Sequence, residues 1–136
     1  GAASKYWTFA NTGTQDNDTL TGGTGTGSDY FVFNSALDAT NNVDTITDFQ
    51  TGVDKIEIDD AIFTGLLVGA LSAANFNFGT GLTAATAATE ADDRLVYDTA
   101  NGFLYFDADG SGGNDAVQFA ELSNLAALSA SDFVIA

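Results

Sequence analysis

Residues 13–33 read GTQDNDTLTGGTGTGSDYFVF, and the way glycine, aspartate and single apolar residues alternate along them decides the fold. Gly13 opens a first unit, Asp16 and Asp18 follow, and Leu20 is its apolar anchor. Gly22, Gly23 and Gly25 open a second, Asp29 follows, and Phe31 is the anchor. Glycine lets the backbone turn tightly and aim carbonyl oxygens inward. Aspartate adds anionic oxygen, and Ca²⁺ takes six to eight oxygen ligands. The anchors point the other way, into a core between stacked turns.

Composition narrows the setting. The chain has 136 residues, of which 45% are hydrophobic, enough for one domain with a real core. Sixteen aspartates and three glutamates face Lys5, Lys55 and Arg94, for a formal charge of −16. Such a chain repels phosphate backbones and anionic lipid, so neither nucleic-acid binding nor membrane insertion is expected. Eleven phenylalanines and four tyrosines argue against disorder. Solubility alone would accept either acid, whereas tight cation-binding loops favour the shorter aspartate.

Other absences exclude chemistry. With neither cysteine nor histidine there is no disulfide, no thiolate site, no usual zinc ligand and no Ser-His-Asp or H-E-x-x-H arrangement. Paired carboxylates of the glycosidase kind arise by chance among sixteen aspartates, so no enzyme is expected. No run of about 18 apolar residues suggests a membrane span. The chain also lacks methionine. It is therefore expected to be part of a longer one, with Gly1-Ala2 a cloning remnant.

Along the chain, residues 5–10 (KYWTFA) read as an aromatic strand, and 18–21 and 30–33 as strands within the glycine-aspartate turns. In DKIEID, Ile56 and Ile58 alternate with Lys55, Glu57 and Asp59, the signature of a half-buried strand. Residues 61–78 suggest a turn or short helix, then a strand at 75–78. Residues 79–91 are an Ala/Thr-rich loop with no obvious core face. RLVYD and FLYFDA flank Asn101-Gly102, a strong hairpin turn, and AVQFAEL follows to complete a meander over 92–122. A short helical turn at 124–129 precedes the strand-like SDFVIA.

Two more segments carry candidate ligands. In VDTITDFQTGVDKIEID (43–59), Asp44 and Asp48 lie two steps of period 2 apart and face one side of a strand, with Ile46 between them. With Asp54 they are candidates to close a last cation site. In DADGSGGNDAVQ (107–118), Asp107, Asp109 and Asp115 take positions 1, 3 and 9 of a calcium loop. Gln118 stands where an EF-hand needs glutamate and the flanks are strands, so the candidate is a D-x-D-G hairpin loop instead. Asp92-Asp93 beside Arg94 reads as a salt bridge or solvated turn.

The repeat resembles the G-G-x-G-x-D-x-U-x unit of RTX (hemolysin-type calcium-binding repeat) proteins, a Ca²⁺-binding parallel β-helix. The first unit lacks two of the glycines, and the second has Thr26-Gly27 inserted before Asp29. The resemblance implies Ca²⁺ between turns, with Asp18 and Asp29 at the aspartate position, Asp16 where the family has glycine, and carbonyls from Gly22, Gly23 and Gly25. The D-x-I-x-D-F…G-x-D-x-I pattern at 43–59 is similar to sequences flanking a final RTX turn. The ending Asp132-Phe133-Val134-Ile135-Ala136 resembles the uncleaved C-terminal signal of type I (ABC-transporter) export, in a serralysin-C-terminal-like arrangement.

Together these imply a single all-β module over 1–136. A short RTX-like parallel β-roll stub (degenerate turns 13–33, roll-closing strands 43–59) would be capped by an antiparallel β meander or sandwich, with 124–136 as secretion signal. The implied role is a non-catalytic bacterial module, secreted or at the cell surface. It would fold on Ca²⁺ outside the cell and meet the type I secretion machinery through its C-terminus. The alternative is a calcium-rigidified surface-layer, adhesin or carbohydrate-binding module that contacts a surface glycan or self-assembles.

Overall fold

Parallel strands that stack one apolar residue per turn generate the centre of the protein. The computed structural model describes residues 16–23, 25 and 27–136; Gly13 and the aromatic strand expected at 5–10 lie outside them. The strands are β1 (Thr19–Leu20), β2 (Tyr30–Phe33), β3 (Asp44–Ile46), β4 (Lys55–Ile58), β5 (Gly69–Ala70), β6 (Phe76–Gly79), β7 (Leu95–Asp98), β8 (Phe103–Phe106), β9 (Val117–Leu122) and β10 (Phe133–Ile135). They form two sheets, ordered β1-β3-β9-β8-β7-β6 and β2-β4-β10-β5. The fold is all-β, and its only helical elements among the described residues are 3₁₀ turns at Ala73–Asn75 and Ala130–Asp132.

The chain alternates between the sheets, so β1-β2, β3-β4 and β9-β10 are three successive turns of a parallel roll. In the first sheet Leu20 pairs with Ile46 and Ile46 with Leu122. In the second, Phe31, Ile56 and Phe133 form one rung, and Phe33, Ile58 and Ile135 the next. These nine residues belong to one buried cluster between the sheets. Period-2 alternation turns the intervening Val32, Glu57 and Val134 to the other face. Phe119 sits between Phe33 and Phe63, with ring centroids 5.2 and 4.9 Å away and planes near perpendicular, a favourable edge-to-face geometry.

The third turn departs from the two-turn stub read in the sequence. The antiparallel meander β7-β8-β9 is inserted between the second and third turns, and β9 belongs to both meander and roll. The roll thereby reaches the three repeats that stacked architectures need to bury a continuous core. At the β7-β8 hairpin, Gly102 has φ +77°, and a methyl there would run into the Leu122 carbonyl, so only glycine fits.

Two local expectations are corrected. Residues 124–129 form no helical turn: Leu125 takes a left-handed φ of 54°, and a 3₁₀ turn comes only later, at Ala130–Asp132. The 79–91 loop does have a core face. Ala87 is fully buried against Val96, Tyr105 and Ala116, with Leu82 and Ala84 packed beside it. Small residues suffice because the loop lies directly on the outer face of β7 and β8.

If β10 is a core strand of the roll, Phe133→Ala should lower stability by about 3–5 kcal/mol in urea unfolding. Val134→Ala, on the outer face, should cost well under half of that. Equal effects would contradict the register.

Candidate metal centre at the aspartate-lined corners

Where the chain passes from the first sheet to the second, each turn makes a corner, whose described residues are 21–23, 25 and 27–29 in the first, 47–54 in the second and 123–132 in the third. The backbone there leaves the strand ladders, and its N–H groups need other acceptors. Aspartates supply them across turns. At the entry to the first sheet, ahead of these corners, the Asp44 carboxylate likewise accepts Asp18 N–H at 3.0 Å. Asp48 accepts Gly22 and Gly23 N–H at 2.9 and 2.6 Å, one on each oxygen. Asp54 accepts Asp29 N–H at 3.0 Å and, from its own corner, Gln50 N–H at 2.8 Å. Asp132 accepts Gly52 N–H at 3.1 Å and Ser129 N–H at 2.9 Å. In each case a carboxylate on a later turn holds the backbone of the turn before it, through charge-assisted bonds stronger than neutral ones.

Asp29 sits at the centre of the first corner, fully buried. Gly22 lies against its carboxylate so closely that a methyl on Gly22 would collide with Asp29 Oδ2. Burial pushes the Asp54 carboxyl up. The N–H groups of Asp29 and Gln50 pull it down, and the Asp29 and Asp48 charges raise it again. Three carboxylates thus act on one another at a corner closed by glycine.

The other expected ligands are placed as follows. Asp16 and Asp18 are exposed, while Gly23 and Gly25 are half-buried. Asp44 and Ile46 share the buried side of β3, as the period required. Asp48 lies beyond that strand, in the corner. On the meander, Asp107 is buried and its Oδ1 accepts Asp109 N–H at 3.2 Å. Asp115 is exposed, and Asn114 rather than Asp115 reaches the Asp109 carboxylate.

Sequence reading passed over Asp98, took Asp132 only as part of an export-like ending, and read Asp93 as part of a salt bridge or solvated turn. Asp93 accepts the N–H groups of Thr89 and Glu90. Arg94 donates to the Ala91 and Asp93 carbonyls, so the pairing expected at this turn is between guanidinium and backbone. Asp98 accepts from Gly81 N, Ala100 N and the Asn101 amide. Burial would raise its pKa, but these bonds outweigh burial and lower it. A buried aspartate beside a glycine turn was the available signal.

The donor set at the first corner fits a hard divalent cation: it is all oxygen, anionic and partly desolvated. Among the described residues no three acids converge closely enough to hold a metal alone. Calcium at Asp29, Asp48 and Asp54 would therefore draw further oxygens from backbone carbonyls and water. A cleft of about 330 Å³ lies elsewhere, on the outer face of the second sheet, lined by Val32, Asn34, Glu57, Asp59, Asp60 and Ala136.

The shifts predict a pH dependence. Asp54 and Asp107 have raised folded-state pKa values, so each contributes stability that is present at low pH and lost as pH rises through its folded pKa. Asp38 and Asp98 are lowered, and their contribution is lost only below about pH 4. Chelator-treated protein should therefore lose melting temperature as pH rises from about 4 toward neutrality, and Asp54→Asn should shrink that loss. A melting temperature that climbs steadily from about pH 4 to 7 would contradict this.

Residues 7–80, more than half the chain, match the family model described as peptidase M10 serralysin C terminal. Comparison with curated proteins and with solved structures returned no match. Among the described residues no helix is long and apolar enough to cross a membrane.

Proposed function

Since the chain belongs to the peptidase M10 serralysin C-terminal family, we propose that it is a non-catalytic, calcium-folded module of a secreted bacterial protein. The observation that carries this reading is the first corner, where buried Asp29 lies tight against Gly22 and the Asp29 and Asp48 charges both act on the Asp54 carboxyl. Without a cation these charges oppose closure of the first two turns. In calcium-poor cytosol that opposition keeps the chain open for export. Outside the cell, Ca²⁺ neutralises the corner, and its binding free energy adds to folding.

The C-terminal residues support the export part of this reading. Phe133, Ile135 and Asp132 are all buried in the folded module. An exporter that recognises this segment must therefore meet it before the third turn forms. Calcium would then switch the same residues from signal to core strand.

At a hundredfold excess over Kd, one calcium site stabilises the fold by about 2.7 kcal/mol. Calorimetric melting of chelator-treated protein should shift upward by several degrees when Ca²⁺ is added, and an unmoved melting curve would overturn the proposal. Asp29→Asn should remove more of that shift than Asp92→Asn, since Asp92 is exposed. The reverse order would move the site away from the corner.

One observation favours a second reading, that of an assembly module. Leu67, Val68 and Phe78 are 87, 68 and 63% exposed, on or beside the edge strands β5 and β6. Calcium-dependent growth in light scattering, abolished by Phe78→Ser, would support it.

A further inference from the structure

Two edge strands close one end of the molecule. β5 ends the second sheet and β6 the first. The Phe76 ring of β6 packs on Phe133 of β10, the strand to which β5 pairs, with centroids 5.4 Å apart. The two faces of β6 differ. Asn77 turns its amide to the Ala87 carbonyl at 2.9 Å, under the 79–91 loop. Period 2 puts Phe76 and Phe78 on the opposite face, where their rings stack 5.9 Å apart. Phe76 joins the core cluster, yet Phe78 is 63% exposed. The apolar core surface therefore runs out past the last strand of the second sheet into solvent. Leu67 and Val68, just before β5, are exposed too.

Charge decides what can cover this end. Residues 61–89, which contain β5 and β6, carry no charged side chain, so all nineteen acids and three bases lie elsewhere in the chain. Asp92 borders the face, since the Asn75 amide reaches its carbonyl at 2.7 Å. Edge strands are commonly guarded by charge against pairing with another chain. The opposite edge follows that rule, for β1 comes after the exposed Asp16 and Asp18. Neither β5 nor β6 carries such a guard. A basic partner would be drawn to the acidic faces and finds no carboxylate along these strands. Two copies at −16 each repel one another in most orientations. At the neutral end they can meet while their carboxylates stay apart, and an edge strand is its own antiparallel partner across a two-fold axis.

We propose that a second copy of this chain docks on the β5-β6 end, with β6 of each copy paired antiparallel across a two-fold axis and Phe78 buried between them. This dimer rests on the assembly reading above and narrows it, because a two-fold contact consumes the β6 edge and stops at two copies. An apolar contact between like-charged copies tightens with added salt, the reverse of one held by ion pairs.

Size-exclusion light scattering of the calcium-loaded protein over a concentration series tests this. Mass should rise from one chain to two and stop there, and added sodium chloride should favour the dimer. Phe78→Ser should weaken the dimer about tenfold or more, with circular dichroism unchanged because the ring is already largely in solvent. Val68→Lys, which puts a charge beside β5, should do the same. Leu125→Ser, at an exposed position beside Gly102, should leave the dimer intact. A chain that stays monomeric at every concentration overturns both the dimer and the assembly reading. Masses that climb past two, or a dimer that survives both Phe78→Ser and Val68→Lys, uphold assembly and overturn this contact. A dimer that salt weakens overturns it as well.

Discussion

Across the roll, an aspartate carboxylate on one turn holds the backbone N–H groups of the turn before it. Asp44, Asp48 and Asp54 do so between the first and second turns, and Asp132 between the second and third. Strand ladders bond the straight parts of a parallel roll, but at the corners the backbone must find acceptors elsewhere. Aspartate is short enough to reach and, once ionised, is a strong acceptor. The apolar rungs Leu20-Ile46-Leu122 and Phe31-Ile56-Phe133 can stack only if the corners bring the turns into this register.

That device builds up negative charge as it builds the fold. With sixteen aspartates and three basic residues in the chain, each added turn brings more carboxylate into a shrinking space. Backbone N–H groups carry partial positive charge and offset part of it, as the lowered pKa of Asp98 shows on the meander. At the first corner the compensation is incomplete, and Asp54 remains raised. In the function proposed above, a divalent cation would relieve this imbalance, and the coupling between calcium and export rests on it.

Much of this was legible in the residues, and the remainder was hidden for definite reasons. Strand β2 was read at 30–33, where the structure has it, because aromatic and β-branched residues there follow a glycine-rich turn. The hairpin at Asn101-Gly102 was legible from a dipeptide whose backbone preferences are nearly unique. The third turn was not, because β9 begins nearly sixty residues after β4 and β10 more than seventy, with the meander inserted between, and no local pattern reports a parallel partner that distant. For the same reason Asp132 looked like part of a terminal motif. Its acceptor role depends on Gly52, eighty positions earlier. At residues 79–91 low complexity concealed a packing face, since alanine reads as neutral until a neighbouring sheet is known.

Amide hydrogen exchange at Gly22, Gly23, Asp29 and Gly52 tests the aspartate bridges most directly. These N–H groups lie in corners outside the strand ladders, and they are protected only if the carboxylates of Asp48, Asp54 and Asp132 hold them. The account predicts strong protection in the calcium-loaded protein, with Asp48→Asn releasing Gly22 and Gly23 while Gly52 stays protected. Exchange at all four positions at the rate of an open chain, with the strand amides still protected, would contradict it.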